Sequence, residues 1–166
     1  MATMGKQNLW LMNIFNPIEY FFLVWLFSYW QKSARVKLVM RISIGMYFVV
    51  WLGEILILDN LTGFSKFAEP LAGIIFVIAA CMTLYEGNKN ENVLFIDEPR
   101  FWISAGVLTY FSAVLTLAVT SNTLLNMSAE SLKIAWTIQN IANVLSTILF
   151  LESFHCRYRV LKSGGY

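Results

Sequence analysis

The sequence predicts an all-α fold, a polytopic transmembrane helix bundle of about five spans that forms a single domain over residues 1–166. Three observations predict this class. Hydrophobic residues make up 58% of the chain and charged residues only 13%, whereas globular proteins average roughly 25% charged residues. The mean hydropathy is +0.61. The apolar residues form continuous runs of helix length, and about 20 such residues cross a hydrocarbon core roughly 30 Å thick.

The same composition excludes several classes of protein. A disordered chain has few apolar residues, and a nucleic-acid-binding domain has a strongly basic surface, whereas the net charge here is +2. The two cysteines, Cys81 and Cys156, lie in or beside apolar runs, so we expect free thiols rather than a disulfide framework. The first apolar run contains Asn13 and Asn16 and is followed by no small-residue cleavage site, so no cleavable signal peptide is expected.

The order of the helices follows from the apolar runs and from the residues at their boundaries. Pro17 predicts the start of the first helix, with Glu19 as an acid in its first turn, although the run could extend back to Leu9 or form a separate interfacial helix there. Pro70 and Pro99 predict the starts of the third and fourth helices, because a proline at a helix start costs no hydrogen bond. The predicted spans are about 17–30, 36–58, 67–85, 101–120 and 132–154.

Lysine and arginine residues are distributed unequally between the two sides of the predicted bundle. Nine of the twelve fall on one side and three on the other, and cytoplasmic loops of membrane proteins carry the excess of positive charge. The N-terminus is therefore predicted outside and the C-terminus in the cytoplasm. The nine are Lys32, Arg35, Lys37, Arg41, Lys89, Arg100, Arg157, Arg159 and Lys162, and the three are Lys6, Lys66 and Lys133.

Glu54 is the most informative single residue because it lies inside the apolar run 51–58. A carboxylate within a membrane span is costly unless it is paired, protonated or hydrated. One interpretation is a ligand-binding or polar cavity, or a proton or cation site, bounded by Glu54 and Glu19. The other is an acid at the outer interface that pairs with Lys66 or with an amide of the last helix.

Polar residues recur at three- and four-residue spacing in the last span, which places them on one face of a helix. Amides that face lipid would lack hydrogen-bond partners, so this face is predicted to point inward. It lines either a polar cavity, together with Glu54 and Glu19, or a dry interface of interhelical hydrogen bonds. The residues are Trp136, Gln139, Asn140, Asn143, Ser146 and Thr147.

The sequence contains no Gly-rich phosphate loop, nucleophile elbow or HExxH motif, so we expect neither enzyme activity nor a cofactor. Glu152 and His155 have the Glu-x-x-His spacing of di-iron bundles, with Cys156 beside them. Such a site needs two copies of the motif, and His155 is the only histidine. We therefore expect no metal site.

Three stretches of the chain, 13–20 (Asn-Ile-Phe-Asn-Pro-Ile-Glu-Tyr), 98–104 (Glu-Pro-Arg-Phe-Trp-Ile-Ser) and 136–143 (Trp-Thr-Ile-Gln-Asn-Ile-Ala-Asn), carry a resemblance. They resemble uncharacterised multi-span bacterial integral membrane proteins, from about Leu9 onward. Members of that family have two further spans ahead of the first stretch, so the resemblance implies a shortened version of a longer bundle. It also implies a multi-pass location in the bacterial inner (cytoplasmic) membrane, and it assigns no activity to any residue.

Three functions are compatible with these features. The first is a non-catalytic membrane protein, either a sensor-like binding bundle or an accessory subunit of a membrane complex, with the lipid bilayer, further copies of the chain or other membrane subunits as partners. The second is a small oligomeric transporter or channel with Glu54 as the coupling acid. The third is an enzyme that acts on lipid through Glu152, His155 and Cys156. We favour the first because the chain is small and contains no soluble catalytic domain, and we expect no nucleic acid partner.

Overall fold

The computed structural model describes residues 9–58, 65, 67–87, 95–124 and 129–162. All regular structure in these ranges is helical, which confirms the predicted all-α class. Five α-helices follow one another, with a short 3-10 helix, Phe95–Asp97, before the fourth. They are α1 Leu9–Trp30, α2 Ala34–Leu58, α3 Ala68–Gly87, α4 Pro99–Leu124 and α5 Ala129–Lys162. The chain divides into two compact units, Met1–Ile75 and Phe76–Tyr166, and the boundary falls within α3.

Helix α1 begins at Leu9 and continues through Pro17, so the extension back to Leu9 is confirmed and the start at Pro17 is wrong. No separate interfacial helix precedes α1 within the described residues. A proline inside a helix leaves the carbonyl four residues earlier without its N–H donor. Here that carbonyl belongs to Asn13, and the indole Nε1 of Trp51 on α2 donates a hydrogen bond to it over 2.9 Å. This replacement donor allows α1 to continue. Glu19 consequently lies in the middle of α1 and does not cap it.

Helices α1 and α2 form an antiparallel hairpin joined by a short turn. The hydroxyl of Tyr20 donates to Ser43 Oγ over 3.0 Å, and its ring stacks on the ring of Tyr47 with the centroids 3.9 Å apart. Further along α1, Trp25 contacts Arg41. Residues later in α1 thus contact residues earlier in α2, so the two helices run in opposite directions. The two tyrosine rings are fully buried and form the centre of this unit.

Helices α4 and α5 also pack in an antiparallel arrangement, within the second unit. Gly106 on α4 faces the ring of Phe150 on α5, and a Cβ atom at position 106 would lie 2.7 Å from a ring carbon. At the same end of the pair, just before the start of α4, the Cys156 thiol donates a hydrogen bond to the backbone carbonyl of Asp97. The missing side chain at Gly106 is therefore what allows the two helices to approach closely.

Candidate functional site

Glu54 is buried at the C-terminal end of α2, next to the start of α3. Only 6% of its surface is exposed. Its carboxylate accepts hydrogen bonds from the Ser65 hydroxyl over 2.7 Å, from the backbone N–H of Phe67 over 3.0 Å and from that of Ala68 over 3.1 Å. The hydroxyl oxygen of Ser65 in turn accepts a hydrogen bond from the backbone N–H of Glu69 over 3.0 Å.

These contacts make Glu54 a helix-capping residue supplied by the neighbouring helix. The first N–H groups of a helix have no partner within the helix, and their partial positive charge favours an anion. The carboxylate satisfies two N–H groups at the start of α3, and Ser65 satisfies a third. The burial of Glu54 therefore has a structural explanation. Lys66, one of the partners that the sequence suggested for it, lies outside the described residues.

Glu19 lies half-buried on α1, in the same unit as Glu54. Its carboxyl group is close enough to that of Glu69 for electrostatic repulsion between the two, and Glu69 interacts in the same way with Glu54. The ligand-binding or polar cavity that the sequence suggested between Glu19 and Glu54 stays a prediction.

The four candidate site residues on α5 belong to the other unit, and they do not share one environment. Gln139 is half-buried, and its buried Oε1 accepts no hydrogen bond within the described part of the chain. Trp136 is 62% exposed, and Asn140 and Asn143 are exposed as well. These three side chains are therefore accessible in the single chain, and their place in a polar cavity or a dry interface stays a prediction.

The buried face of α5 lies about a quarter of a turn away from the predicted face. It carries small side chains at helical spacing, namely Ala142, Ser146, Ser153 and Cys156. Small residues allow the backbones of two helices to approach, and amide side chains do not, so the small face packs and the amide face is left outside. The exposed residues of the predicted face, which we call the α5 polar stripe, are Trp136, Asn140, Asn143 and Thr147.

The turn of α5 that carries Glu152, His155 and Cys156 does not bring these side chains together as one exposed group. His155 is exposed and Cys156 is buried, with its thiol bonded to the carbonyl of Asp97. Among the described residues, no group of three His, Cys, Asp or Glu side chains could hold a metal ion.

The fold is a helical bundle in which, over the ranges described, two helices are long and apolar enough to cross a membrane: Ala34–Ile57 and Ala68–Gly87. Comparison with models of known protein families, with curated proteins and with solved structures finds no match.

Proposed function

We propose that the chain is a non-catalytic, multi-pass protein of the bacterial inner membrane, with its N-terminus outside and its C-terminus in the cytoplasm. In this proposal it acts as an accessory subunit that binds another membrane chain through the α5 polar stripe. The observation that carries the proposal is the exposure of two amide side chains, Asn140 and Asn143, on a helix that also exposes apolar side chains beside them.

The apolar surface of the described helices supports the membrane location. Only 17% of the apolar stretch of α2 is buried, whereas a core helix of a soluble protein is mostly buried. Near the end of this helix, Leu56 is 78% exposed and Ile57 is 82% exposed. Soluble monomers rarely expose continuous apolar patches beyond a few hundred Å². Lipid solvates such a surface without cost.

The amides of the α5 polar stripe support assembly with a partner. Ile141, Val144 and Leu145 are exposed beside Asn140 and Asn143, so the amides lie within an apolar surface. A polar group that faces hydrocarbon without a hydrogen-bond partner is costly. A helix of another membrane chain supplies such partners, and each interhelical hydrogen bond contributes about 0.6 kcal/mol in membranes.

The contacts of Glu54 make a transporter or channel the weaker proposal. A coupling acid must exchange its proton with water, but Glu54 is 6% exposed and its carboxylate is bonded to the start of α3. A sensor-like binding bundle would use the α5 polar stripe for a small ligand in place of a protein partner. An enzyme that acts on lipid would need His155 and Cys156 on one accessible surface, and Cys156 is buried.

Native mass spectrometry of the protein, extracted from its own membrane in a mild detergent, tests the proposal. The wild-type chain is expected to carry a further membrane chain, either a second copy or a different subunit, and the measured mass distinguishes the two. The double variant Asn140→Leu/Asn143→Leu is expected to bind this chain about eightfold more weakly, because two interhelical hydrogen bonds are lost.

The matched control is the double variant Ile141→Leu/Val144→Leu, which changes exposed apolar residues on the same helix and should keep the complex. Circular dichroism checks that all variants retain their helical content. A wild-type chain without any partner, or an amide variant that keeps its partner as tightly as the wild type, would contradict the proposal. A small-molecule adduct that disappears in the amide variant would favour the binding bundle instead.

A further inference from the structure

The end of the α1–α2 hairpin where the two helices are joined carries a cluster of positive charge. Four cationic residues lie within ten positions of the chain, in the turn and at the start of α2: Lys32, Arg35, Lys37 and Arg41. Arg35 and Arg41 are exposed, and Lys37 is half-buried. This end corresponds to the side that the distribution of lysine and arginine predicts to be cytoplasmic.

Aromatic side chains lie at the same level as two of these cations. The guanidinium carbon of Arg41 is 5.5 Å from the centroid of the Trp25 ring. Tyr29 is one turn further along α1 and Lys37 one turn back along α2, so in an antiparallel hairpin these two residues are level as well. Trp25 is 52% exposed and Tyr29 is 75% exposed. We call Trp25, Tyr29, Lys37 and Arg41 the interfacial cluster.

The acidic residues of the hairpin lie toward its other end. Glu19 is six residues from Trp25 on α1, which corresponds to about 9 Å along the helix axis. Glu54 is thirteen residues from Arg41 on α2, which corresponds to about 20 Å. Both separations exceed the reach of an ion pair, so neither acid of the hairpin neutralises the cations of the interfacial cluster.

We propose that the interfacial cluster binds the headgroup phosphate of an anionic phospholipid. A guanidinium and an ammonium group both donate N–H bonds to phosphate oxygens. Tryptophan and tyrosine are enriched at headgroup depth, because one end of each ring is apolar and the other end is polar. Cations next to the start of an apolar helix attract anionic lipids. The proposal rests on the proposed membrane location and is independent of the α5 polar stripe.

Titration of the detergent-solubilised full chain with phosphatidylglycerol, followed by native mass spectrometry, tests this site. Phosphatidylcholine with the same acyl chains measures the contribution of the tails alone. The wild-type chain is expected to bind phosphatidylglycerol more tightly than phosphatidylcholine. Each lost cation should weaken phosphatidylglycerol binding about fivefold, so the double variant Lys37→Gln/Arg41→Gln should bind it about 25-fold more weakly.

The variant Lys133→Gln removes an exposed cation from α5 and should leave phosphatidylglycerol binding unchanged. Equal binding of the two lipids by the wild type, or an equal loss in the Lys133→Gln variant, would overturn the proposal. Displacement of phosphatidylglycerol by an equal concentration of inorganic phosphate would also overturn it, because the ligand would then be free phosphate. Flotation with vesicles in a density gradient tests the membrane location separately: a chain that floats without headgroup selectivity contradicts only the lipid site.

Discussion

Loss of the negative charge at Glu54 is expected to release the start of α3 from the end of α2. Hydrogen bonds to a charged group contribute about 1.5–3 kcal/mol each, and a buried N–H without a partner costs about 1–3 kcal/mol. Glu54→Gln keeps one acceptor oxygen but loses the charge that faces the positive helix end, so we expect a loss of about 2 kcal/mol in the free energy of unfolding. Glu54→Leu removes every acceptor, and we expect a loss of about 4 kcal/mol.

Reversible unfolding in mixed micelles, titrated with dodecyl sulfate and followed by circular dichroism, measures these free energies. Hydrogen exchange at the amides of Phe67 and Ala68 reports on the cap itself, and both should exchange faster in the Glu54 variants. Glu19→Gln is the matched control, since it makes the same chemical change at a half-buried carboxyl group on α1. It also removes repulsion with Glu69, so its free energy of unfolding should equal or exceed that of the wild type.

A Glu54→Gln variant with the wild-type free energy of unfolding, and with unchanged exchange at the two amides, would refute the capping role. The carboxyl group would then be available for another function, and the interpretation of Glu54 as a coupling acid would become the stronger one.

Two further predictions concern the helix pairs, and the same unfolding titration measures both. Trp51→Phe removes the indole donor from the carbonyl of Asn13 and should lower the free energy of unfolding by about 1–2 kcal/mol. In a Pro17→Ala background the loss should be smaller, because the backbone N–H at position 17 then supplies the hydrogen bond. An equal loss in both backgrounds would contradict this. Gly106→Ala places a Cβ atom 2.7 Å from the Phe150 ring and should cost about 2 kcal/mol. Phe150→Leu in the same chain should recover part of this loss, and a Gly106→Ala chain as stable as the wild type would show that the ring yields freely.

The helical class and the order of the five helices could be predicted from the sequence, because apolar runs of helix length identify the elements without any knowledge of their packing. The choice between a start of α1 at Pro17 and one at Leu9 could not be made from the sequence. Whether a helix continues through Pro17 depends on a donor for the carbonyl of Asn13, and that donor is Trp51 on a different helix. A local pattern contains no information about such a contact.

The candidate site shows the same limit. An acid within an apolar run indicates a constrained group, and Glu54 is indeed buried, but its partners Ser65, Phe67 and Ala68 follow eleven to fourteen residues later. On α5, the spacing of the polar residues predicts that they share a face but does not predict which face packs. The size of the competing side chains decides that, and the small residues around Ser146 pack better than the amides of Asn140 and Asn143.

The bonds between Glu54 and the start of α3 also have a consequence for engineering. Residues 59–67 join the two helices along the chain, but the hydrogen bonds to Phe67 and Ala68 hold the helix ends together independently of the length of that connection. Doubling the length of a flexible loop costs only about 0.6 kcal/mol in closure entropy. Foreign peptide inserted at 59–64 should therefore leave both helices in place. This makes the connection a suitable position for a reporter peptide whose accessibility shows on which side of the bilayer the connection lies.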